Sequence, residues 1–307
     1  MNIQKSNFLI HPLVNRYQLK LILFTITLSP LFYFYDVYAI DGIYEKKLSL
    51  NSSFEIQNSS IDSTLTTDFN FSNVTNITNN IFDSVYAQIA AVENTVYLVW
   101  QESINDKSKK NNYDIFFIKS EDNGNTFSKP INLSNNSGFS EHPQIASFKN
   151  GIFIVWADNT NSNNTEITFT KSEDNGTTFS KVINLSNNSK NSNNVEISAY
   201  NENVYVVWQD IDQNNIKNSS IIFKSSNDSG NTFNDTIELA TNTNDAYPKI
   251  NSYQDYVYIV WNSENNDDFS KDNENNGLFF IKSSDKGNTF ENSIRIVNNN
   301  FGESQIS

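Results

Sequence analysis

Three acidic residues recur at one position of a repeated pattern in this chain of 307 residues. Each stands two residues after a tryptophan that ends an apolar run, and the three are Glu102, Asp158 and Asp210. Carboxylates at equivalent positions of a repeat can meet at one site. There a pair could cleave a glycosidic bond, and a cluster could bind a cation or a polar ligand. We therefore predict these three acids as ligand-binding candidates.

One of these acids also begins a segment that has oxygen ligands at alternate positions. Asp210, Asp212 and Asn214 follow this spacing, which is typical of calcium-binding loops. The segment lacks the glycine and the distal glutamate of an EF-hand loop. Asp210 and Asp212 are therefore candidate ligands for calcium, and no other cofactor is predicted.

The tryptophans close four short runs of β-branched and aromatic residues, at 96–100, 152–156, 204–208 and 257–261. A continuous apolar run of this length is typical of a strand that is covered on both faces. A short mixed segment precedes each run, and a further apolar segment follows it. Each unit of the repeat therefore contains at least three strands.

An octet of the form S-x-D-x-G-x-T-F follows the third strand of each unit. The octets begin at residues 120, 172, 226 and 283, so they are 52, 54 and 57 residues apart. Strand-type residues on both sides of a glycine-containing turn predict a hairpin that leads into a fourth strand. The carboxylate of each octet can accept hydrogen bonds from turn amides. The octet aspartates are therefore predicted to be structural: Asp122, Asp174, Asp228 and Asp285.

The loops at the other end of the strands vary from unit to unit. Varied loops on a repeated scaffold are where binding residues usually lie. The connections between units add Glu141, His142 and Asp245 to this end. These three residues are predicted to form a rim around the acids that follow the tryptophans.

The octets and the tryptophan strands together resemble the Asp-box (bacterial neuraminidase repeat) of β-propellers in the sialidase superfamily. The resemblance covers roughly residues 70–307. It implies an all-β propeller of four-stranded blades, with each octet between the two outer strands of a blade. It also implies that the octets lie on the face opposite the active site.

The same resemblance argues against sialidase activity. Sialidases of this type grip the carboxylate of sialic acid with three arginines, and lysine does not replace the guanidinium fork. This chain has two arginines, Arg16 and Arg295. The arginine triad cannot be assembled from this chain alone, so the chain is expected not to be a sialidase by that mechanism.

Partial repeats flank the four complete units. Residues 70–78 are similar to the fourth strand of a preceding blade, and residues 301–307 are similar to the first strand of a following blade. Three interpretations stay open: a truncated six-bladed ring, two chains that complete each other, and an open arc. An open arc would present unpaired strand edges, through which copies could associate.

The amino-terminal segment has the features of a signal peptide. Residues 1–20 carry Lys5, Arg16 and Lys20 and no acid, residues 21–35 carry no charge, and Val37 and Ala39 stand at a small-residue site. We predict a signal peptide at residues 1–39 and a flexible leader rich in Ser and Asn at residues 40–69. The alternative is an uncleaved segment that anchors the protein in a membrane.

Composition narrows the classes of partner. The net charge is −14, which argues against nucleic acids and anionic membrane surfaces. The chain has no cysteine, so it contains no disulfide. Many N-x-S/T sequons could carry glycans in an exported protein. Those noted are Asn51, Asn58, Asn70, Asn73, Asn76, Asn132, Asn135, Asn163, Asn184, Asn187 and Asn218.

Three functions compete on these observations. The favoured hypothesis is a secreted or cell-surface recognition module without catalytic activity, which binds a glycan or an extracellular protein. The second is a glycoside hydrolase that uses loop carboxylates. The third is a structural component of the cell envelope that assembles through its open edges.

Overall fold

The computed structural model describes residues 9–13, 19–28, 31–39, 74–106, 109–160, 164–213, 215–243, 246–263 and 277–297. The chain divides into two units, Met1–Asn73 and Val74–Ser307. No helix occurs in these ranges, and hence none that could cross a membrane.

The first unit contains one antiparallel sheet of three strands, in the order β1-β2-β3. The strands are β1 (Leu9–Leu13), β2 (Leu19–Leu28) and β3 (Leu31–Ala39). The described parts of the uncharged stretch, residues 21–28 and 31–35, lie in β2 and β3. The signal peptide at residues 1–39 stays a prediction, and the leader at residues 40–69 lies outside the described residues.

The second unit contains four antiparallel sheets of four strands each, which we call blades 1 to 4. Blade 1 contains β4 (Ser84–Val92), β5 (Thr95–Asp106), β6 (Lys109–Ser120) and β7 (Ile131–Asn132). Blade 2 contains β8 (Ser140–Phe148), β9 (Gly151–Asp158), β10 (Glu166–Ser172) and β11 (Ile183–Asn184). Blade 3 contains β12 (Asn191–Tyr200), β13 (Asn203–Asp212), β14 (Asn215–Ser226) and β15 (Ile237–Thr241). Blade 4 contains β16 (Lys249–Tyr253), β17 (Tyr256–Ser263), β18 (Gly277–Ser283) and β19 (Ile294–Val297).

The predicted fold class is confirmed: the unit is all-β, with four complete four-stranded blades of a β-propeller. In every blade the strands pair in chain order, and the tryptophan strand is second. The first strands of successive blades are neighbours, which is the arrangement of blades around a common axis. The tryptophan strands of blades 2 and 3 are apolar and buried on both faces, as the continuous runs predict.

Each pair of neighbouring blades shares one hydrophobic core. Residues of blade 1 pack on blade 2, those of blade 2 on blade 3, and those of blade 3 on blade 4. Each core contains a tryptophan contributed by the later blade: Trp156, Trp208 and Trp261. These three tryptophans are therefore core residues of the blade interfaces.

The two partial repeats add no strand to the described residues. Residues 74–83 form no strand, although a strand was predicted over residues 70–78. The turn that follows the fourth strand is nevertheless present, because Asn76 Oδ1 accepts a hydrogen bond from Asn79 N, as Asn132 Oδ1 does from Asn135 N. The segment at residues 301–307 lies outside the described residues.

Candidate functional site

The octets form the same hydrogen-bonded turn in all four blades. In blade 3, Asp228 Oδ1 accepts from Thr232 N at 2.9 Å and from Ser226 Oγ at 2.7 Å. Asp228 Oδ2 accepts from Thr232 Oγ1 at 2.6 Å, and Ser226 Oγ accepts from Gly230 N at 2.9 Å. The aspartate thus fastens the two ends of the turn to each other.

Hydrogen bonds from the octet threonine favour the charged form of each octet aspartate. They lower the pKa of Asp122, Asp228 and Asp285 to about 2, and they lower the pKa of Asp174 as well. These contacts are all internal to the turn. Contacts of this kind fit a structural role for the octet aspartates, which stays a prediction.

The register of the strands places the octets and the predicted rim at opposite ends of each blade. In blade 2, β9 runs from Ile152, which pairs with Ser172 at the octet, to Asp158, which pairs with Ser140 at the start of the blade. We call the end where the first strands begin the ligand face. Asp158 and its counterparts lie at this end.

The three acids after the tryptophans are buried at the ligand face, each in a cluster of its own blade. Asp158 Oδ2 accepts from Trp156 Nε1 at 3.2 Å, from Ser140 Oγ at 2.8 Å and from Asn136 Nδ2 at 2.7 Å. Asn136 belongs to the connection that arrives from blade 1. The carboxylate therefore ties the tryptophan strand, the first strand and the connection between the blades together; we call this cluster a latch.

Blades 1 and 3 repeat the latch with equivalent residues. Glu102 accepts from Trp100, Ser84 and Asn80 at 2.9–3.0 Å. Asp210 accepts from Trp208 and Ser192 at 2.7 Å and from Asn188 at 2.9 Å. Burial raises the pKa of Asp210, although these donors and the nearby charge of Lys190 oppose the rise. In blade 4, where Ser263 replaces the acid, Ser263 Oγ donates to Thr243 O instead.

The structure does not bring Glu102, Asp158 and Asp210 together. Across the described ranges, no group of three or more His, Cys, Asp or Glu side chains could hold a metal ion. Asp212 lies at the end of β13, where it pairs with Asn215, and Asn214 lies outside the described residues. Calcium binding by Asp210 and Asp212 stays a prediction.

The remaining rim candidates have different environments. Glu141 is half-buried in β8, His142 is exposed, and Asp245 lies outside the described residues. Arg295 lies in β19, an outer strand, opposite Phe279. His142 is thus the one predicted rim residue that the described structure presents to solvent.

His142 occupies a β-bulge that three first strands share. The pairing of the first and second strands shifts at this point in blades 1, 2 and 3. Tyr86, His142 and Asn194 stand at the bulges with φ of 54°, 53° and 53°, a conformation that is uncommon for residues other than glycine and least favourable for the bulky Tyr86. Tyr247 has the equivalent position in the sequence of blade 4. We call these four residues the rim residues; His142 is the one member that the sequence analysis had also assigned to the rim.

Ring side chains of the rim residues face solvent. Tyr86 is 57% exposed and Tyr247 is 56% exposed. The rings of Tyr86 and His142 meet edge to face, with their centroids 4.3 Å apart. The rim residues therefore place two neighbouring rings from two blades at the ligand face, with a third ring on blade 4.

Contacts between blades hold the bulges in place. Gln101 Oε1 of blade 1 accepts from His142 N of blade 2 at 3.1 Å. Asn194 Nδ2 of blade 3 donates to Ala246 O, the residue before Tyr247, at 3.1 Å. Sequence reasoning missed Tyr86, Asn194 and Tyr247 as site residues. The signal was available, because each stands where His142 stands in its own unit.

No protein-family model matches this chain, and no curated protein matches it by sequence. Solved structures do resemble it. Trypanosoma rangeli sialidase in complex with sialic acid has a TM-score of 0.46 at 14% identity, over 68% of this chain and 37% of that chain. Zg3597, a family 117 glycoside hydrolase of the marine bacterium Zobellia galactanivorans, has a TM-score of 0.43 at 9% identity, over 68% of each chain.

A protein of unknown function from Dyadobacter fermentans has a TM-score of 0.50 at 15% identity, over 70% of this chain and 69% of that chain. At such identities the likeness concerns the fold alone. The present chain covers 37% of the length of the trypanosomal sialidase.

Proposed function

We propose that the protein is an exported Asp-box β-propeller of the sialidase superfamily that recognises a glycan and does not cleave it. The observation that carries this proposal is the set of exposed rings at the rim. Aromatic rings with one polar end are frequent in recognition surfaces, because they bury a large area and still form hydrogen bonds. Tyr86, His142 and Tyr247 have this character.

The bulges support the same proposal. A tyrosine with positive φ, such as Tyr86, is costly, and such backbone strain concentrates at functional sites. Hydrogen bonds to the neighbouring blade, such as that from His142 N to Gln101 Oε1, offset the free energy of this strain. The rim residues are therefore held in place before any ligand arrives, which reduces the entropy lost on binding.

The environment of the latch acids argues against the hydrolase alternative. A catalytic acid or nucleophile must reach the substrate. Glu102, Asp158 and Asp210 are buried, and each accepts hydrogen bonds from three side chains of the protein. Export, glycosylation of the sequons and cleavage after Ala39 belong to the proposal. The amino terminus and mass of the secreted protein would test them.

A glycan array with a matched pair of tyrosine variants tests the recognition role. Tyr247 precedes β16 at the ligand face, and Tyr253 ends β16 at the opposite face, where it is 60% exposed. We expect Tyr247→Ser and Tyr86→Ser to weaken glycan binding about tenfold or more, a loss of roughly 1.4 kcal/mol. Tyr253→Ser should bind as the wild type does.

The same assay separates the competing functions. Wild-type protein that binds no glycan, or that loses as much affinity from Tyr253→Ser as from Tyr247→Ser, would contradict the proposal. Sugar released from an array component would favour the hydrolase. Binding to an extracellular protein that Tyr86→Ser abolishes would keep the rim as the site and change the class of ligand.

A further inference from the structure

The three hydrophobic interfaces between neighbouring blades that the structure describes are each built from the same two halves. The earlier blade supplies a pair of stacked rings from its second and third strands, for example Tyr205 and Phe223 of blade 3. The later blade supplies the glycine of its octet and the tryptophan strand. We call these the ring half and the glycine half.

The fit between the halves is close. An added Cβ would lie 2.6 Å from the ring of Phe117 at Gly176 and 2.6 Å from that of Phe169 at Gly230. At Gly287 it would lie 2.7 Å from the ring of Phe223. The phenylalanine ring therefore fills the space that the absent side chain leaves. Because each ring half is covered in this way, Phe117, Phe169 and Phe223 are at most 1% exposed.

Blade 4 carries a ring half that no described residue covers. Tyr258 and Phe280 stack with centroids 6.3 Å apart and an interplanar angle of 23°, close to the 6.2 Å and 22° of Tyr205 and Phe223. Tyr258 is nevertheless 37% exposed, and its neighbour Tyr256 is 41% exposed. The geometry is that of a blade interface without its partner.

Blade 1 carries the complementary glycine half, and it is open as well. An added Cβ at Gly124 would meet nothing within 4 Å. Val96 and Leu98 of its tryptophan strand are half-buried, whereas their counterparts in blade 2, Ile152 and Ile154, are fully buried. Among the described residues, one half of each kind is therefore left without a partner: the ring half of blade 4 and the glycine half of blade 1.

A polar contact between blades follows the same pattern, with one partner on blade 4 and the other on blade 1. At two of the three interfaces, the lysine before the octet reaches the octet of the following blade: Lys119 Nζ donates to Thr177 Oγ1 at 3.3 Å, and Lys171 Nζ donates to Asn231 Oδ1 at 2.6 Å. Blade 3 has Ser225 at this position. Lys282 has this position in blade 4, and Asn125 is the counterpart of Thr177 in blade 1. Lys282 is paired with Glu291 of its own blade instead.

We infer that the ring half of blade 4 binds the glycine half of blade 1 from a second copy of this chain. Phe280 then lies against Gly124, which continues the ring-to-glycine contact that the chain builds three times. Lys282 lies beside Asn125, as the equivalent lysine does at two of the three interfaces. Such a contact joins two different surfaces, so copies assemble head to tail into a closed ring or an open chain.

Because the net charge is −14, this assembly should depend on the salt concentration. Copies of the same sign repel each other at long range, and salt screens that repulsion. The ring-to-glycine part of the contact is apolar and does not depend on charge. We therefore expect association to strengthen between low salt and about 0.15 M salt, where the Debye length is about 8 Å.

Two blocking variants and their mixture test the inference. Phe280→Ser removes the ring, and Gly124→Ala places a Cβ where the ring must lie. By sedimentation velocity and light scattering, the wild-type mass should rise with protein concentration, whereas each variant alone should stay at the mass of one chain. Mixed together, the variants should form a one-to-one dimer, because one keeps Gly124 and the other keeps Phe280.

Matched controls separate this effect from misfolding. Asn123→Ala strains the same turn, with φ of 59°, without filling the space over Gly124. Ile183→Ser removes an apolar side chain of 40% exposure from an outer strand of blade 2. Both controls should associate as the wild type does.

Four outcomes would overturn the inference. They are a wild type that stays monomeric at every concentration, a blocking variant that still associates, a mixture that stays monomeric, and controls that lose association. A monomer in which Tyr258 and Phe280 are protected from hydrogen exchange would show that the chain covers this face itself.

Discussion

At the scale of single residues, aspartates of one chain respond to pH in opposite directions. Asp228 at an octet turn is held charged by Thr232, which lowers its pKa to about 2. Asp210 in a latch is buried, which raises its pKa. The surroundings of the carboxylate, rather than its residue type, therefore decide whether acid weakens or strengthens the fold at that point.

We expect the octet aspartates to make the fold sensitive to acid. A carboxylate whose pKa is lowered on folding stabilises the native state above its unfolded pKa of about 3.9, and this contribution is lost as the pH falls through the native value near 2. The melting temperature of the wild type should therefore fall steeply from pH 5 to pH 2. Asp228→Asn cannot titrate, so its melting temperature should be lower at pH 7 and should fall less over that range.

A second octet provides the control for the acid experiment. Asp285→Asn should behave like Asp228→Asn, because the hydrogen bonds of the two turns are equivalent. An exposed acid outside the turns, such as Glu238 in β15, should give a variant Glu238→Gln with the pH profile of the wild type. Parallel profiles for the wild type and both octet variants would refute the prediction.

At the scale of elements, the glycine of each octet has two separate tasks. Gly124 and Gly176 both have positive φ, at 85° and 75°, which any other L-residue adopts at a cost. Only Gly176 also lies against a ring, that of Phe117. The pair thus separates the strain of the turn from the packing between blades.

We expect Gly176→Ala to destabilise the fold more than Gly124→Ala. Gly124→Ala should cost about 1 kcal/mol for its backbone conformation. Gly176→Ala adds a displaced Phe117 ring, and overpacking of a core costs about 1–3 kcal/mol. Urea unfolding of both variants at a concentration where the wild type is monomeric measures the difference. Equal losses would mean that Phe117 moves aside at no cost.

The elements also divide what the sequence predicts from what it does not. The strands and octets were predictable, because each depends on a short pattern that occurs four times. The position of Glu102 beside Trp100 was predictable too, since residues two apart in a strand point to the same face. The third latch partner was not, because Asn80 and its counterparts arrive from the connection before the blade. No local pattern joins that amide to an acid 22 residues away.

The bulges are the other feature that the sequence did not predict. A bulky residue such as Tyr86 avoids positive φ, so local preference predicts an extended strand at this position. The bond from His142 N to Gln101 Oε1 comes from another blade. The conformation of the rim therefore depends on the packing of blades rather than on the first strand itself.

At the scale of the whole molecule, the arc is close to a one-dimensional array, in which each blade packs mainly on its sequence neighbours. Blades 2 and 3 have a neighbour on both sides. In β13, residues 204–208 are all fully buried. In β17 of blade 4, exposed and buried residues alternate, because one face has no neighbouring blade among the described residues. Stability should therefore decrease from the middle of the arc toward its ends.

Hydrogen exchange followed by mass spectrometry should reveal this gradient. At low protein concentration, amides of β9 and β13 should exchange most slowly, and amides of β17 and β18 should exchange faster through local opening. Raising the concentration should slow exchange in β17 and β18 and around Gly124, and leave β9 and β13 unchanged, because a second copy supplies the missing neighbours. In Phe280→Ser this dependence on concentration should vanish, although the gradient itself should remain. Uniform exchange across the four blades would mean that the arc unfolds as a single cooperative unit, and the one-dimensional description would then fail.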